Sequence, residues 1–212
     1  MLVRRIAAIA ATLLSKVFAQ NIISLSGHDW ILSNSDLNIS CPASLPSQAH
    51  LDLHACQVIG SPYYGLNDFN LRFVAWANWT YTSAPISNLQ ANSSSTWLVF
   101  NGLDTFTSIS FCGEHVAATN NQFRQYYFDV SAILDDCQDD PVLSVNFGSA
   151  PKITQEIADE PGQETWPYGI EIMYEFSNRQ FMRKEQNDFG WDWGPAFAPA
   201  GPWYVLWNRG QI

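Results

Sequence analysis

The sequence is short of charge. Asp, Glu, Lys and Arg make up 14% of its 212 residues, against roughly a quarter in an average globular protein. Positive charge is scarcest: ten Lys plus Arg face twenty Asp plus Glu, for a formal charge of −10. No basic run is available to neutralise a phosphate backbone, which excludes nucleic acid as a partner. The negative surplus argues equally against anionic membranes. Long apolar runs are missing too. Ile6–Leu14 falls well short of the ~20 residues that cross a bilayer. Heptads, collagen periodicity and internal repeats are absent. So are the G-x-S-x-G elbow, the phosphate-binding loop and the dinucleotide fingerprint, and no cofactor is implied. C-x-x-C does not occur, and His50 and His54 lack Cys or His partners at zinc-ligand spacing, so no metal site is expected. His50 and His54 would sit side by side on one helix face. His28 and His115 fall in strand or turn contexts that suit structural roles better than catalytic bases.

Apolar and aromatic residues are plentiful. Hydrophobic residues make up 47% and aromatics 14%, with nine Trp. A chain of this composition is not disordered, and at this length it can bury a sizeable core.

Met1 to Ala19 reads as a secretory signal. Arg4 and Arg5 supply the positive start, Ile6–Leu14 the apolar centre, and Val17-Phe18-Ala19 the small-residue cleavage site. Its removal takes three basic residues and no acidic one, deepening the charge to −13. Three sequons fit a secreted, extracellular glycoprotein, at Asn38, Asn78 and Asn92. The four cysteines, Cys41, Cys56, Cys112 and Cys137, are disulfide candidates in an oxidising compartment. Three connectivities are possible, and sequential pairing closes the shortest loops.

Period-two patterning dominates the rest. Leu143, Val145 and Phe147 alternate with polar residues, as do Ile109 and Phe111. Ile170, Ile172, Tyr174 and Phe176 repeat the pattern. Leu71–Tyr81 and Gln125–Val130 are rich in aromatic and β-branched residues. Thr96–Phe100 is a short strand ending at an Asn101-Gly102 turn, and Gly113-Glu114 has the spacing of a tight hairpin. One short helix is expected after Pro46, capped by Ser47, with Leu51, Ala55, Val58 and Ile59 turned inward. Ser149–Pro167 reads as an ordered excursion or loop between strands, and Asn88–Ser95 as an exposed loop. Short strands separated by turn signals point to a single all-β sandwich.

The most unusual stretch is Arg183 to Pro195, where Trp191, Asp192 and Trp193 stand together between glycines. In an extended chain the two Trp share a face and Asp192 opposes them. An aromatic face can stack on the C–H face of a pyranose, and a carboxylate can accept sugar hydroxyls. Core anchoring beside a turn is the competing role for the two Trp. Glu185 and Asp188 form a close carboxylate pair, but nothing marks them as the acid and nucleophile of a glycosidase.

These residues carry a resemblance. Ser24–Trp30, Leu45–Leu53, Pro62–Asn70, Asn78–Tyr81, Leu98–Thr105 and Arg183–Gln186 leading into Phe189-Gly-Trp-Asp-Trp-Gly-Pro195 resemble the amino-terminal domain of secreted fungal-type β-mannosidases of glycoside hydrolase family two. The likeness runs from about Ser24 to Trp203, so residues 20–203 form the domain. It implies a jelly-roll sandwich of the galactose-binding-like type. It also implies an immunoglobulin-like domain and a catalytic (β/α)₈ barrel beyond this one. The two catalytic glutamates belong to that barrel, so no catalytic residue is assigned here and the 212 residues alone are expected to be inactive. In the family the sandwich lends residues to the pocket rim. Asp192 would then bind hydroxyls of a terminal β-mannose, with Trp191 and Trp193 shaping the wall. A free-standing carbohydrate-binding module is the alternative. The sequence departs from the family at Ser61, where an acid is usual, and over residues 204–212, which do not look like the family's continuation.

Overall fold

The computed structural model describes residues 20–87, 89, 95–163 and 175–211. The expected signal segment, Asn92 and most of the expected strand around Ile170–Phe176 lie outside them. In chain order the elements are β1 (Gln20–Ser24), β2 (Gly27–Asn34), β3 (Ile39–Leu45), α1 (Ala49–Ala55), two single-turn helices, α2 (Asn67–Asn70) and α3 (Phe73–Trp76), then β4 (Trp79–Ser83), β5 (Ser95–Asp104), β6 (Phe106–Phe111), β7 (Glu114–Asn120), β8 (Tyr126–Asp129), α4 (Ser131–Asp136), β9 (Leu143–Phe147), α5 (Ala150–Asp159) and β10 (Gly201–Gln211). Two 3₁₀ turns, Arg179–Phe181 and Gln186–Phe189, precede β10.

The strands form two sheets, ordered β1-β10-β5-β8 and β3-β2-β4-β9-β6-β7. Every recorded strand pairing is antiparallel. The alternation seen in the sequence is the alternation of burial. Trp79 and Tyr81 of β4, Ile109 and Phe111 of β6, and Leu143, Val145 and Phe147 of β9 all point inward from the six-stranded sheet. They join Leu98, Phe100 and Leu103 of the four-stranded sheet in one core. Tyr81 meets Phe147 edge to face at 5.7 Å between ring centroids, the arrangement ring quadrupoles favour. The buried indoles keep their N–H groups bonded, Trp30 to the Leu25 carbonyl and Trp79 to that of Val74. This is the all-β sandwich that the patterning implies.

Several local expectations are corrected. The expected hairpin forms one residue earlier: Glu114 already pairs with Phe111, so the turn is Cys112-Gly113 and not Gly113-Glu114, with both residues at positive φ, as a two-residue primed turn requires. Asn101-Gly102 makes no turn, because β5 runs on to Asp104 with its backbone paired to β10. Leu71–Trp76 is helical rather than extended, and the strand starts only at Trp79. Within the Ser149–Pro167 excursion, Ala150–Asp159 is the helix α5. Ser149 caps α5 by accepting from the Lys152 N–H, and Pro151 sits in the first turn, where its missing N–H does no harm.

α1 starts one residue later than expected, with Gln48 rather than Ser47 at its cap and no side-chain cap bond. The Ala49 N–H is satisfied instead by the Ala200 carbonyl. Its buried residues are Ala49, His50, Asp52 and Leu53, while Leu51, Ala55 and Val58 are exposed. The polar Asp52 can turn inward because it accepts the Tyr81 hydroxyl at 2.8 Å and the Ser44 N–H at 3.3 Å. Residues 204–211, set apart in the sequence, continue the backbone of β10 between β1 and β5.

Candidate functional site

One end of the sandwich carries a cavity of about 880 Å³. The start of α1 contributes Gln48, His50 and Leu51, and the following loop contributes Pro62 and Tyr63. The opposite wall is Gln186–Asp188, Trp191, Trp193, Gly194, Pro195 and Phe197, with Arg179 and Pro199 completing it.

The aromatic wall is a tight turn. The Trp191 N–H donates to the Gly194 carbonyl at 2.9 Å and the Gly194 N–H returns the bond at 3.1 Å. Asp192 and Trp193 are therefore the two central residues of the turn, and the extended arrangement does not occur. Both Trp still border the cavity. Asp192 is exposed and is not among the lining residues. Gly190 makes the turn possible. Its φ is +65°, and a Cβ there would stand 2.5 Å from the Gly194 carbonyl oxygen. The Asp188 carbonyl accepts the Phe197 and Ala198 N–H groups at 3.0 and 2.9 Å. Behind it Phe189, Ala196 and Ala198 pack with Ala75, Ala150, Phe176 and Met182 as a small apolar cluster.

Behind the lining residue Asp188 lies a buried charged cluster, the floor on which the site rests. Lys184 is fully buried, and its ammonium contacts the Asp104 carboxylate, Asp188 Oδ2 at 2.7 Å and the Pro199 carbonyl at 2.7 Å. Two carboxylates thus share one cation. Burial pushes the Asp104 carboxyl up to about 6, against the opposing pull of Lys184 and its hydrogen bonds. Asp188, expected as half of a carboxylate pair with Glu185, is tied instead to Lys184. It is the one carboxylate among the described lining residues. The cavity therefore lacks the two facing carboxyls that glycoside cleavage requires.

His50 was missed as a site residue. Only 5% of it is exposed, and its Nδ1 is buried without a hydrogen-bond partner. Its ring packs edge to face on Phe197 at 5.5 Å, and Tyr63 packs on the other side of the site at 5.4 Å from the same ring. Burial, and then the charge of Lys184, bring the imidazole down to about 4. It is thus neutral at physiological pH, a hydrogen-bonding group and not a base. His54, four residues on, is exposed, so the two histidines do not share a surface. His115 is exposed at the hairpin. The burial of His50 could not be read from its helical position alone, because the apolar residues expected inward, Leu51 and Val58, face out.

Cys112 and Cys137 are joined, while Cys41 and Cys56 are separate thiols. Of the two sequential pairs, the structure joins the second. Asn38 and Asn78 are exposed. Among the described residues no group of three or more His, Cys, Asp and Glu is arranged to hold a metal ion, and no helix is long and apolar enough to cross a membrane.

Residues 30–204 match the family described as glycosyl hydrolase 2 galactose-binding domain-like. The chain belongs to that family. It is 60% identical over 197 residues to Beta-mannosidase A of Aspergillus niger, covering 93% of this chain and 21% of that protein. The same-named protein of Aspergillus terreus is 59% identical, with the same coverage. The chain thus spans about a fifth of the length of these curated relatives. The structure superposes on the crystal structure of Beta-D-Mannosidase from Dictyoglomus thermophilum with a TM-score of 0.78 and 30% identity, over 90% of this chain and 22% of that one. The galactose-binding-like fold that the resemblance implies is the fold of this family member.

Proposed function

We propose that this chain is the substrate-rim domain of a secreted β-mannosidase, contributing to the pocket that holds a terminal β-mannose while a separate barrel performs the cleavage. The observation that carries this reading is the cavity walled by Trp191 and Trp193, in a chain 60% identical to a segment of Beta-mannosidase A. The Trp faces offer stacking surface for a pyranose. Gln48, Gln186, Asn187 and Asp188 offer polar groups that fix orientation. Asp192, exposed at the tip of the turn, is placed to reach a sugar held between this domain and a partner domain. There its side-chain oxygens accept mannose hydroxyls. Secretion is supported by the amino-terminal signal pattern, the Cys112–Cys137 bond and the exposed sequons at Asn38 and Asn78.

The test replaces the matching segment of Aspergillus niger Beta-mannosidase A with this chain. The chimera should hydrolyse an aryl β-mannoside. Asp192→Asn should lower kcat/KM by about 10- to 100-fold, the size expected for losing charged hydrogen bonds. Unchanged kinetics in that variant would remove Asp192 from the reading. The 212 residues alone should show no hydrolysis.

The alternative is a free-standing carbohydrate-binding module, in which Trp191 and Trp193 would stack a sugar without the barrel. Quenching of Trp fluorescence by methyl β-mannoside in the isolated chain would support it.

A further inference from the structure

Cys41 and Cys56 take no part in the cavity, yet they are placed together. Cys41 is buried in β3, and Cys56 follows the last residue of α1 and is half-buried. Their sulfurs reach the same helix end. Cys41 Sγ lies 4.0 Å from the Asp52 carbonyl oxygen and Cys56 Sγ lies 3.5 Å from that of Leu53, the next residue. The two sulfurs thus converge on the carbonyls of successive residues of one helix. They belong to no metal-holding group among the described residues. In the same molecule Cys112 and Cys137 are already joined. A chain that carries one disulfide exposes its other facing thiols to the same oxidising surroundings.

We propose that Cys41 and Cys56 close a second disulfide in the oxidised protein, clamping the carboxyl end of α1 onto β3. This is independent of what the cavity binds. The chemistry needs a small-molecule disulfide such as oxidised glutathione. The thiolate of Cys56, the more accessible sulfur, attacks one glutathione sulfur. A mixed disulfide forms and one glutathione thiolate leaves. Cys41 then gives its proton to solvent base and attacks Cys56 Sγ, and the second glutathione leaves. Two protein thiols are oxidised and one oxidised glutathione is reduced to two thiols. Burial and the neighbouring thiol hold the Cys41 thiol high, at about 12, which assigns it the second step. The bond closes a loop between residues fifteen positions apart. It also fixes the helix whose other end carries Gln48, His50 and Leu51 into the cavity wall.

The experiment is a disulfide map. The purified chain is equilibrated with oxidised glutathione, its remaining thiols are alkylated with iodoacetamide, and it is digested without reduction. The expected result is a Cys41–Cys56 linked peptide beside the Cys112–Cys137 one. Alkylated Cys41 and Cys56 in a protein whose Cys112–Cys137 bond is intact would overturn the proposal, as would either thiol linked elsewhere. Cys56→Ser gives a second reading. It should lower Tm of the oxidised chain by about 6–12 °C, the effect of opening a 15-residue loop, and should leave Tm unchanged in excess reductant. Equal Tm values for the oxidised proteins would also overturn it.

Discussion

The floor and the rim of the cavity lie within ten residues of each other and are built on opposite principles. At the floor Lys184 is fully buried between Asp104 and Asp188. At the rim Trp191 is 60% and Trp193 85% exposed. A soluble domain ordinarily does the reverse, with charges out and Trp in. The floor is tolerated because every proton of the ammonium has an oxygen to face, and a buried charge is costly chiefly when unpaired. The rim is tolerated because a turn two residues wide cannot fold its own side chains under the sandwich. Exposed aromatic surface of this kind is what the proposed sugar contact would cover.

Breaking the floor should have the largest effect. Lys184→Met leaves Asp104 and Asp188 facing each other without a cation. Removing one partner of a buried ion pair costs about 3–5 kcal/mol, so thermal unfolding should show Tm lower by roughly 10 °C or more. A drop of a degree or two would mean that the cluster is hydrated and the contrast with the rim false.

His50 sharpens the same comparison through pH. Its ordinary value is 6.5, and in the fold it is about 4. Between those values the unfolded chain takes up a proton that the folded chain refuses, so this group costs stability as pH falls. Asp104 has the opposite sign. Its carboxyl is raised from 3.8 to about 6, so the folded chain takes up the proton first and gains stability as pH falls through 6. In His50→Gln the imidazole's contribution is gone, while the raised carboxyls of Asp104 and Asp52 keep theirs. The variant should gain on the parent by on the order of 3 kcal/mol between pH 6.5 and 4. Urea unfolding at several pH values measures this, and parallel curves would refute it.

Gly190 joins floor to rim. Gly190→Ala places a methyl group against the Gly194 carbonyl at a positive φ. A cost of about 1–3 kcal/mol follows, with changed near-ultraviolet dichroism from the two Trp as the second readout. Trp193→Ala should do least to the fold, within about 0.5 kcal/mol, while abolishing any sugar-dependent fluorescence change that arises at the rim. A large loss of stability in that variant would show that the indole packs inward after all.

Sequence by itself determined whatever rests on neighbours along the chain. Alternation in Leu143–Phe147 and Ile109–Phe111 specified strands and their buried faces, since side chains on a strand repeat every two residues. Gly113 specified its hairpin through backbone freedom. The clustered Trp191-Asp192-Trp193 helped carry the family resemblance. Only the tertiary structure decided the rest. Lys184 is buried because Asp104, 80 positions away, arrives at the end of β5 to meet it. Asp52 rather than Leu51 faces inward because Tyr81, 29 positions away, offers a hydroxyl. Asp192 leaves the cavity because the 191–194 backbone closes on itself. In each case a partner distant in sequence, or a turn closed by its own hydrogen bonds, outweighs the hydrophobic pattern. A buried polar group follows its partner, and periodicity carries no record of where that partner is.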